Sequence, residues 1–167
     1  MQISVLFVCL GNICRSPMAE AVFRHLVRQE GLEDKILIDS AGTGDWHVGE
    51  PPHHGTRKKL DEMNISYEGL RARQFKAEDV ERFTYIIGMD DNNIADMKSI
   101  YNRHAAGIER STRNLDTCLR RFVDFIPGTT YTKVPDPWYT GDFDETYRLI
   151  SSGCRHLLTL IKQEHGL

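Results

Sequence analysis

Apolar and polar positions alternate along this chain between two kinds of pattern. Short apolar runs at residues 3–8, 36–38 and 85–89 read as strands buried on both faces. Residues 118–121 give a fourth strand of weaker pattern, because two of them are arginines. Between these runs the apolar positions recur at helical spacing. Met18, Val22 and Leu26 define a first helix, with Ser16 as N-cap, Pro17 as first helical residue and Glu30-Gly31 as its stop. A second helix spans residues 54–63 with Leu60 and Met63 turned inward, a short one covers 77–80, and Asp90 caps another reaching Met97 or Ile100. Tyr147, Ile150, Cys154, Leu157, Leu158 and Ile161 mark a long final helix capped by Asp142 or Asp144. Residues 42–52 are a loop rich in breakers, 66–75 are irregular, and 101–116 are polar without a usable period. Buried-type strands alternating with helices imply an α/β fold, a parallel sheet covered on both faces.

The segment joining the first strand to the first helix carries the chemistry: Cys9-Leu10-Gly11-Asn12-Ile13-Cys14-Arg15-Ser16-Pro17. Backbone amides gathered at a helix N-terminus, together with the helix dipole, make an anion site. Gly11 permits a positive φ, and Asn12 tolerates a left-handed turn. Arg15 adds a planar fork suited to two phosphate oxygens. The same positive field stabilises a thiolate at Cys9, and the Ser16 hydroxyl is placed to donate to its sulfur. A thiolate beneath a phosphate cradle is set to attack phosphorus in line with the ester bond. Taken alone, a cysteine in such a loop is ordinarily an inert buried residue; the ten-residue pattern reverses that reading.

Cys-x5-Arg-Ser on the first strand–helix turn, with Asp136-Pro137-Trp138-Tyr139 near the other end, resembles the low-molecular-weight protein tyrosine phosphatases, and the resemblance covers essentially the whole chain. It implies one domain over residues 1–167 and a four-stranded parallel sheet of order 2-1-3-4, with the first loop at the carboxyl edge where ligands bind. It implies Cys9 as nucleophile and Asp136 as general acid and then base. The phosphate is held by Arg15 and the loop Leu10, Gly11, Asn12, Ile13 and Cys14. Trp46, Trp138 and Tyr139 would form the pocket walls, with Ser16, Ser40 and Asp90 in support. The family more often has Tyr at the position of Trp138, a difference expected to alter substrate fit. A deep slot between flat rings favours an aryl phosphate, so phosphotyrosine proteins or peptides are the expected partners. Phosphoarginine phosphatases of the same fold tend to carry Thr where this chain has the bulkier Ile13. The resemblance also implies that Cys14 can trap an oxidised Cys9 as a disulfide.

Composition narrows the rest. The chain has 167 residues, a net charge of −3, 40% hydrophobic and 27% charged residues. That balance describes an ordinary globule and gives no sign of a nucleic-acid or membrane surface. Four scattered cysteines fit a reducing compartment, and no leader is recognised, so a cytoplasmic chain is expected, monomeric with weak self-association through rim aromatics. No metal or other cofactor is expected. His53-His54 lacks the spacing of a zinc helix, and Cys9 with Cys14 lacks a partner pair. Arg71 and Arg73 are expected to pair with acids or face solvent, and Arg110, Arg113, Arg120 and Arg121 to form a solvated face. Two other classes compete: a thiol-dependent arsenate reductase, disfavoured because no cysteine lies between Cys14 and Cys118, and a non-catalytic phosphate-binding module.

Overall fold

A computed structural model describes residues 2–105 and 114–167. The elements run β1 Ile3–Cys9, α1 Arg15–Gln29, β2 Ile36–Gly42, α2 His54–Glu62, α3 Asp79–Arg82, β3 Tyr85–Gly88, α4 Asp91–Ala105, α5 Leu115–Cys118, β4 Leu119–Arg121, α6 Pro137–Thr140 and α7 Phe143–His165, with a 3-10 turn at Phe122–Phe125. The strands form one parallel sheet of order β2-β1-β3-β4, the order the resemblance implied.

β1 is the centre, and its alternation feeds two cores. Val5, Phe7 and Cys9 point into a cluster with α1 and α7, where Phe7 meets Phe23 edge-on at 5.7 Å. Leu6 and Val8 point into the opposite cluster with Val80, Phe83, Met97 and Leu115. Burial on both faces is why β1 reads as a near-continuous apolar run rather than an alternating one. α7 carries the expected stripe: Ile150, Cys154, Leu157, Leu158 and Ile161 are buried and Tyr147 partly so. Of the two candidate caps, Asp142 is the one used; its Oδ1 accepts the N–H of Glu145 at 2.9 Å.

Several boundaries differ from expectation. α1 begins at Arg15, so Ser16 is inside the helix rather than its cap; the cap position is Cys14, without a side-chain bond. The Ser16 hydroxyl is spent on the cysteine sulfur instead. Met63 is exposed rather than inward, because α2 ends at Glu62 and the chain turns at Asn64 with φ 57°. Cys118 closes the turn of α5, leaving only three residues for β4. α4 continues to Ala105, past the point where its apolar period fades. Arg110 and Arg113 lie outside the described residues; Arg121 pairs with Asp91 at 3.3 Å and Asp124 at 3.1 Å.

At the carboxyl edge the strand ends hold the loops. The register pairs Cys9 with Gly42 and Val8 with Gly88. Beyond β3, Met89 N donates to Val8 O at 3.1 Å, and Val134 N donates to Met89 O at 2.9 Å, which ties the Asp136 segment to the sheet. Under the sheet, α7 packs on the 3-10 turn so closely that a Cβ at Gly153 would lie 2.3 Å from the buried Phe122 ring. Gly153→Ala should therefore destabilise the fold by about 1–3 kcal/mol in urea titration.

Candidate active site

The segment between β1 and α1 wraps around a cavity of about 240 Å³. Cys9, Cys14 and Arg15 form its floor, and Leu10, Gly11 and Ile13 one side of its mouth. The tight turn falls on Asn12, at φ 58°, and not on Gly11, which has no positive φ. Gly11 is needed small for another reason: a Cβ there would lie 3.1 Å from the His47 ring.

Asn12 is buried, and its amide holds the turn. Nδ2 donates to Ser16 Oγ at 2.7 Å and to Ser40 Oγ at 2.9 Å, and Oδ1 accepts Arg73 N at 2.9 Å. The Ser40 contact is the one the sequence suggested. Ser40 in turn donates to Glu20 Oε1 at 2.6 Å. Ser16 Oγ lies 2.9 Å from Cys9 Sγ. Because that hydroxyl already accepts from Asn12, its own proton is left to donate, and the sulfur is nearer than the other acceptor, Ala41 O at 3.4 Å. The loop carbonyls Cys9 O, Leu10 O and Ile13 O accept from Thr43 N, Gly44 N and His53 N at 3.0, 2.9 and 2.7 Å. From below, Gly42 supports the loop: a Cβ on it would come within 2.8 Å of Leu10 O and 3.0 Å of Asn12 N.

Arg15 is 2% exposed. Nη1 donates to Asp90 Oδ2 at 2.6 Å and Val134 O at 3.0 Å, and Nη2 reaches Asp136 Oδ2 at 3.4 Å. Nε is buried and has no partner. Burial opposes the charge of Arg15, but Cys9, Asp136 and Asp90 outweigh it and hold its pKa above the ordinary value. Asp90 is both a bracket for Arg15 and a cap for α4, its Oδ1 accepting Asn93 N at 2.8 Å. Asp136 caps α6 by accepting Trp138 N at 3.1 Å on Oδ1 while Oδ2 faces Arg15. Burial, then Cys9 and Asp136, also raise the Cys14 thiol well above its ordinary value. Neither Cys9 nor Cys14 is part of a disulfide.

The walls are aromatic. Trp46, 69% exposed with its ring lying directly over Gly44, lines the cavity together with Trp138 and the 76% exposed Tyr139. Among the described residues no group of three or more His, Cys, Asp or Glu is arranged to hold a metal ion, and no helix is long and apolar enough to cross a membrane.

The sequence profile for low molecular weight phosphotyrosine protein phosphatase matches residues 4–166. The low molecular weight protein-tyrosine-phosphatase YfkJ of Bacillus subtilis is 48% identical over 166 residues, 99% of this chain and all of that one. The chain belongs to the low-molecular-weight protein tyrosine phosphatase family. Its structure superposes on the YfkJ crystal structure with a TM-score of 0.88 at 46% identity, covering 99% and 98% of the two chains. It is also similar to the Drosophila arginine phosphatase, with a TM-score of 0.81 at 30% identity over 97% and 98%.

In this low-molecular-weight phosphatase Cys9, Leu10, Gly11, Ile13, Cys14, Arg15, Trp46, Asp136, Trp138 and Tyr139 line the cavity, while Ser16 bonds Cys9, Asn12 bonds Ser16, Ser40 bonds Asn12 and Asp90 bonds Arg15. Arg73 pairs with Asp39 at 3.1 Å and with the fully buried Asp79 at 3.0 Å, as expected of a structural arginine, and Arg71 is exposed. Sequence reasoning missed Glu20, His47 and His53. Glu20 had a signal, an acid among the inward residues Met18, Ala19, Ala21 and Val22 of α1. His47 follows Trp46 directly, lines the cavity and hydrogen-bonds Glu50.

Burial raises the Glu20 carboxyl from an ordinary 4.5 to about 7, with the Ser40 bond opposing and Asp39 reinforcing the rise. The native state therefore keeps a proton that the unfolded chain releases between those values, so this group makes stability fall as pH rises through that window. Glu20→Gln should gain on the wild type by roughly 1–3 kcal/mol in urea titrations between pH 4.5 and 8, through this linkage. Gly42→Ala should lift the loop and weaken inorganic phosphate binding at least about ten-fold by competition kinetics, the cost of displacing the cradle backbone.

Proposed function

We propose that this chain hydrolyses phosphotyrosine through a phosphocysteine on Cys9. The observation that carries the reading is the buried Arg15 fork, whose Nε has no partner and which lines the same cavity as Cys9. An unpaired buried guanidinium donor is costly unless an anion completes it. A phosphate oxygen on Nε, with a second on Nη2, meets that need bidentately. The loop amides take the remaining oxygens, consistent with carbonyls engaged by the surrounding residues.

The Cys9 thiolate, steadied by the Ser16 hydroxyl, attacks phosphorus. The P–O bond to the tyrosyl oxygen breaks, and Asp136 delivers its proton to that oxygen, releasing the phenol. Asp136, now a carboxylate, takes a proton from water as the water oxygen attacks the phosphocysteine; inorganic phosphate leaves and the thiolate returns. Arg15 and the amides carry the charge of both transition states. Occupation of Arg15 by phosphate competes with its 3.4 Å contact to Asp136.

Trp46 against Trp138 and Tyr139 sandwiches the substrate ring, and the length of a tyrosyl phosphate lets phosphorus reach the floor. Ile13 at the mouth favours an aryl group over a guanidino phosphate. The likeness to an arginine phosphatase is the specific reason to test the second substrate. The partners are phosphotyrosine proteins met by a cytoplasmic, monomeric enzyme whose exposed rim also supports weak self-association. Cys14, beside Cys9 on the cavity floor, traps a peroxide-oxidised Cys9 as a disulfide with loss of water.

Phosphate release from matched phosphotyrosine and phosphoarginine peptides decides the substrate: release from the tyrosine peptide should dominate, and dominant release from the arginine peptide overturns the reading. Cys9→Ser should abolish turnover while retaining oxyanion binding. Asp136→Ala should lower kcat on phenyl phosphate by about 10²–10⁴.

A further inference from the structure

Two segments of the site must keep register although no strand or helix joins them. One is the loop from Cys9 to Arg15; the other runs from Asp136 to the start of α7. His53 touches both. Its backbone N–H donates to Ile13 O at 2.7 Å, within the first loop. Its ring stacks on Phe143 at 5.3 Å and 18°, and meets Trp138 edge-on at 5.6 Å and 75°. Both distances are those of favourable aromatic pairs.

Those two partners bracket the acid segment. Trp138 supplies the N–H that holds Asp136 Oδ1, and Phe143 is the first residue of α7, reached after the left-handed Gly141 at φ 71°. Phe143 is itself seated on α2: a Cβ at Gly55 would lie 2.4 Å from its ring. The His53 ring is fixed in turn, because Nδ1 accepts Gly55 N at 3.0 Å and so caps α2. We propose that His53 is a positioning residue that couples the nucleophile loop to the acid segment, its ring holding Trp138 and Phe143 so that Asp136 stays aimed at the leaving-group oxygen. The proposal rests on the reading of Asp136 as the general acid.

Burial, with His54, Arg57 and His47 nearby, lowers the His53 pKa below its ordinary value, which suits a neutral stacking ring. Its role passes through Trp138 to the orientation of a carboxyl, so its loss should be felt only where a proton must be delivered. The second-order constant kcat/KM reports the step in which the P–O bond breaks. An ester that leaves readily, p-nitrophenyl phosphate, needs little protonation, whereas phenyl phosphate needs it fully.

His53→Asn keeps a good helix cap and removes the ring; His53→Phe keeps a ring and removes the cap. His53→Asn should lose about ten-fold or more in kcat/KM on phenyl phosphate and under about three-fold on p-nitrophenyl phosphate, a fraction of general-acid catalysis. Gly55→Ala, which unseats Phe143, should show the same selective loss, and His53→Phe should stay close to wild type on both esters. Equal losses on the two esters in His53→Asn, or a selective loss in His53→Phe as well, would overturn the proposal. Asp136→Ala is the reference. If it is leaving-group sensitive and His53→Asn is not, only the role of His53 fails. If Asp136→Ala behaves like wild type on both esters, Asp136 is not the acid and the proposal falls with that reading.

Discussion

A guanidinium that is 2% exposed must be neutralised by what surrounds it, and the whole carboxyl edge of this sheet is arranged around that requirement at Arg15. Asp90 comes from the end of β3, Val134 O from the segment paired to Met89, and Asp136 from two residues further on. Two separate stretches of chain are thus drawn to one cation. They satisfy Nη1 fully, Nη2 loosely and Nε not at all. Two of the fork's three edges are left wanting an anion. The structural charge and the ligand-binding charge are one and the same group.

A second constraint holds the loop that carries Arg15. Asn12 must stay left-handed, and its amide can satisfy Ser16, Ser40 and Arg73 together in only one orientation. Arg73 cannot drift, because its guanidinium is locked to Asp39 and Asp79. Ser40 cannot drift, because Glu20 accepts its hydrogen bond. The cradle is therefore rigid before any ligand arrives, and its shape does not have to be acquired at the expense of binding.

The parts of the site legible in the sequence are those contiguous in it. The apolar run of β1, then Cys9 through Pro17, states the strand, the turn and the helix within fifteen residues. Asp136 was legible through the family resemblance carried by Asp136-Pro137-Trp138-Tyr139 together with the first loop, since an acid between two prolines is otherwise a rigid turn. Misplacements came where a local rule met a distant partner. Ser16 has the chemistry of a cap but serves the sulfur of Cys9. Of the two residues suited to the turn, Asn12 makes it, and its amide bonds Ser40 and Arg73 as well. Met63 fits the helical period by number, yet the helix has already ended. Glu20, His47 and His53 act through Ser40, Glu50, Trp138 and Phe143, and apart from the nearby Glu50 these contacts lie far off in sequence. Such contacts leave no period to read. The strand order likewise followed from resemblance to a family, since nothing in the pattern of β3 or β4 says which neighbour each takes.

The crowding of acids around one base bears on how this cavity discriminates among inhibitors. Asp90 and Asp136 already share the single guanidinium. A doubly charged phosphate mimic is held by Arg15 and the loop amides, but it brings its negative charge close to the Asp136 carboxyl. A singly charged head group carrying a hydroxyl toward Asp136 would fill the vacant Nε, turn that repulsion into a hydrogen bond, and leave the aromatic walls to grip its tail.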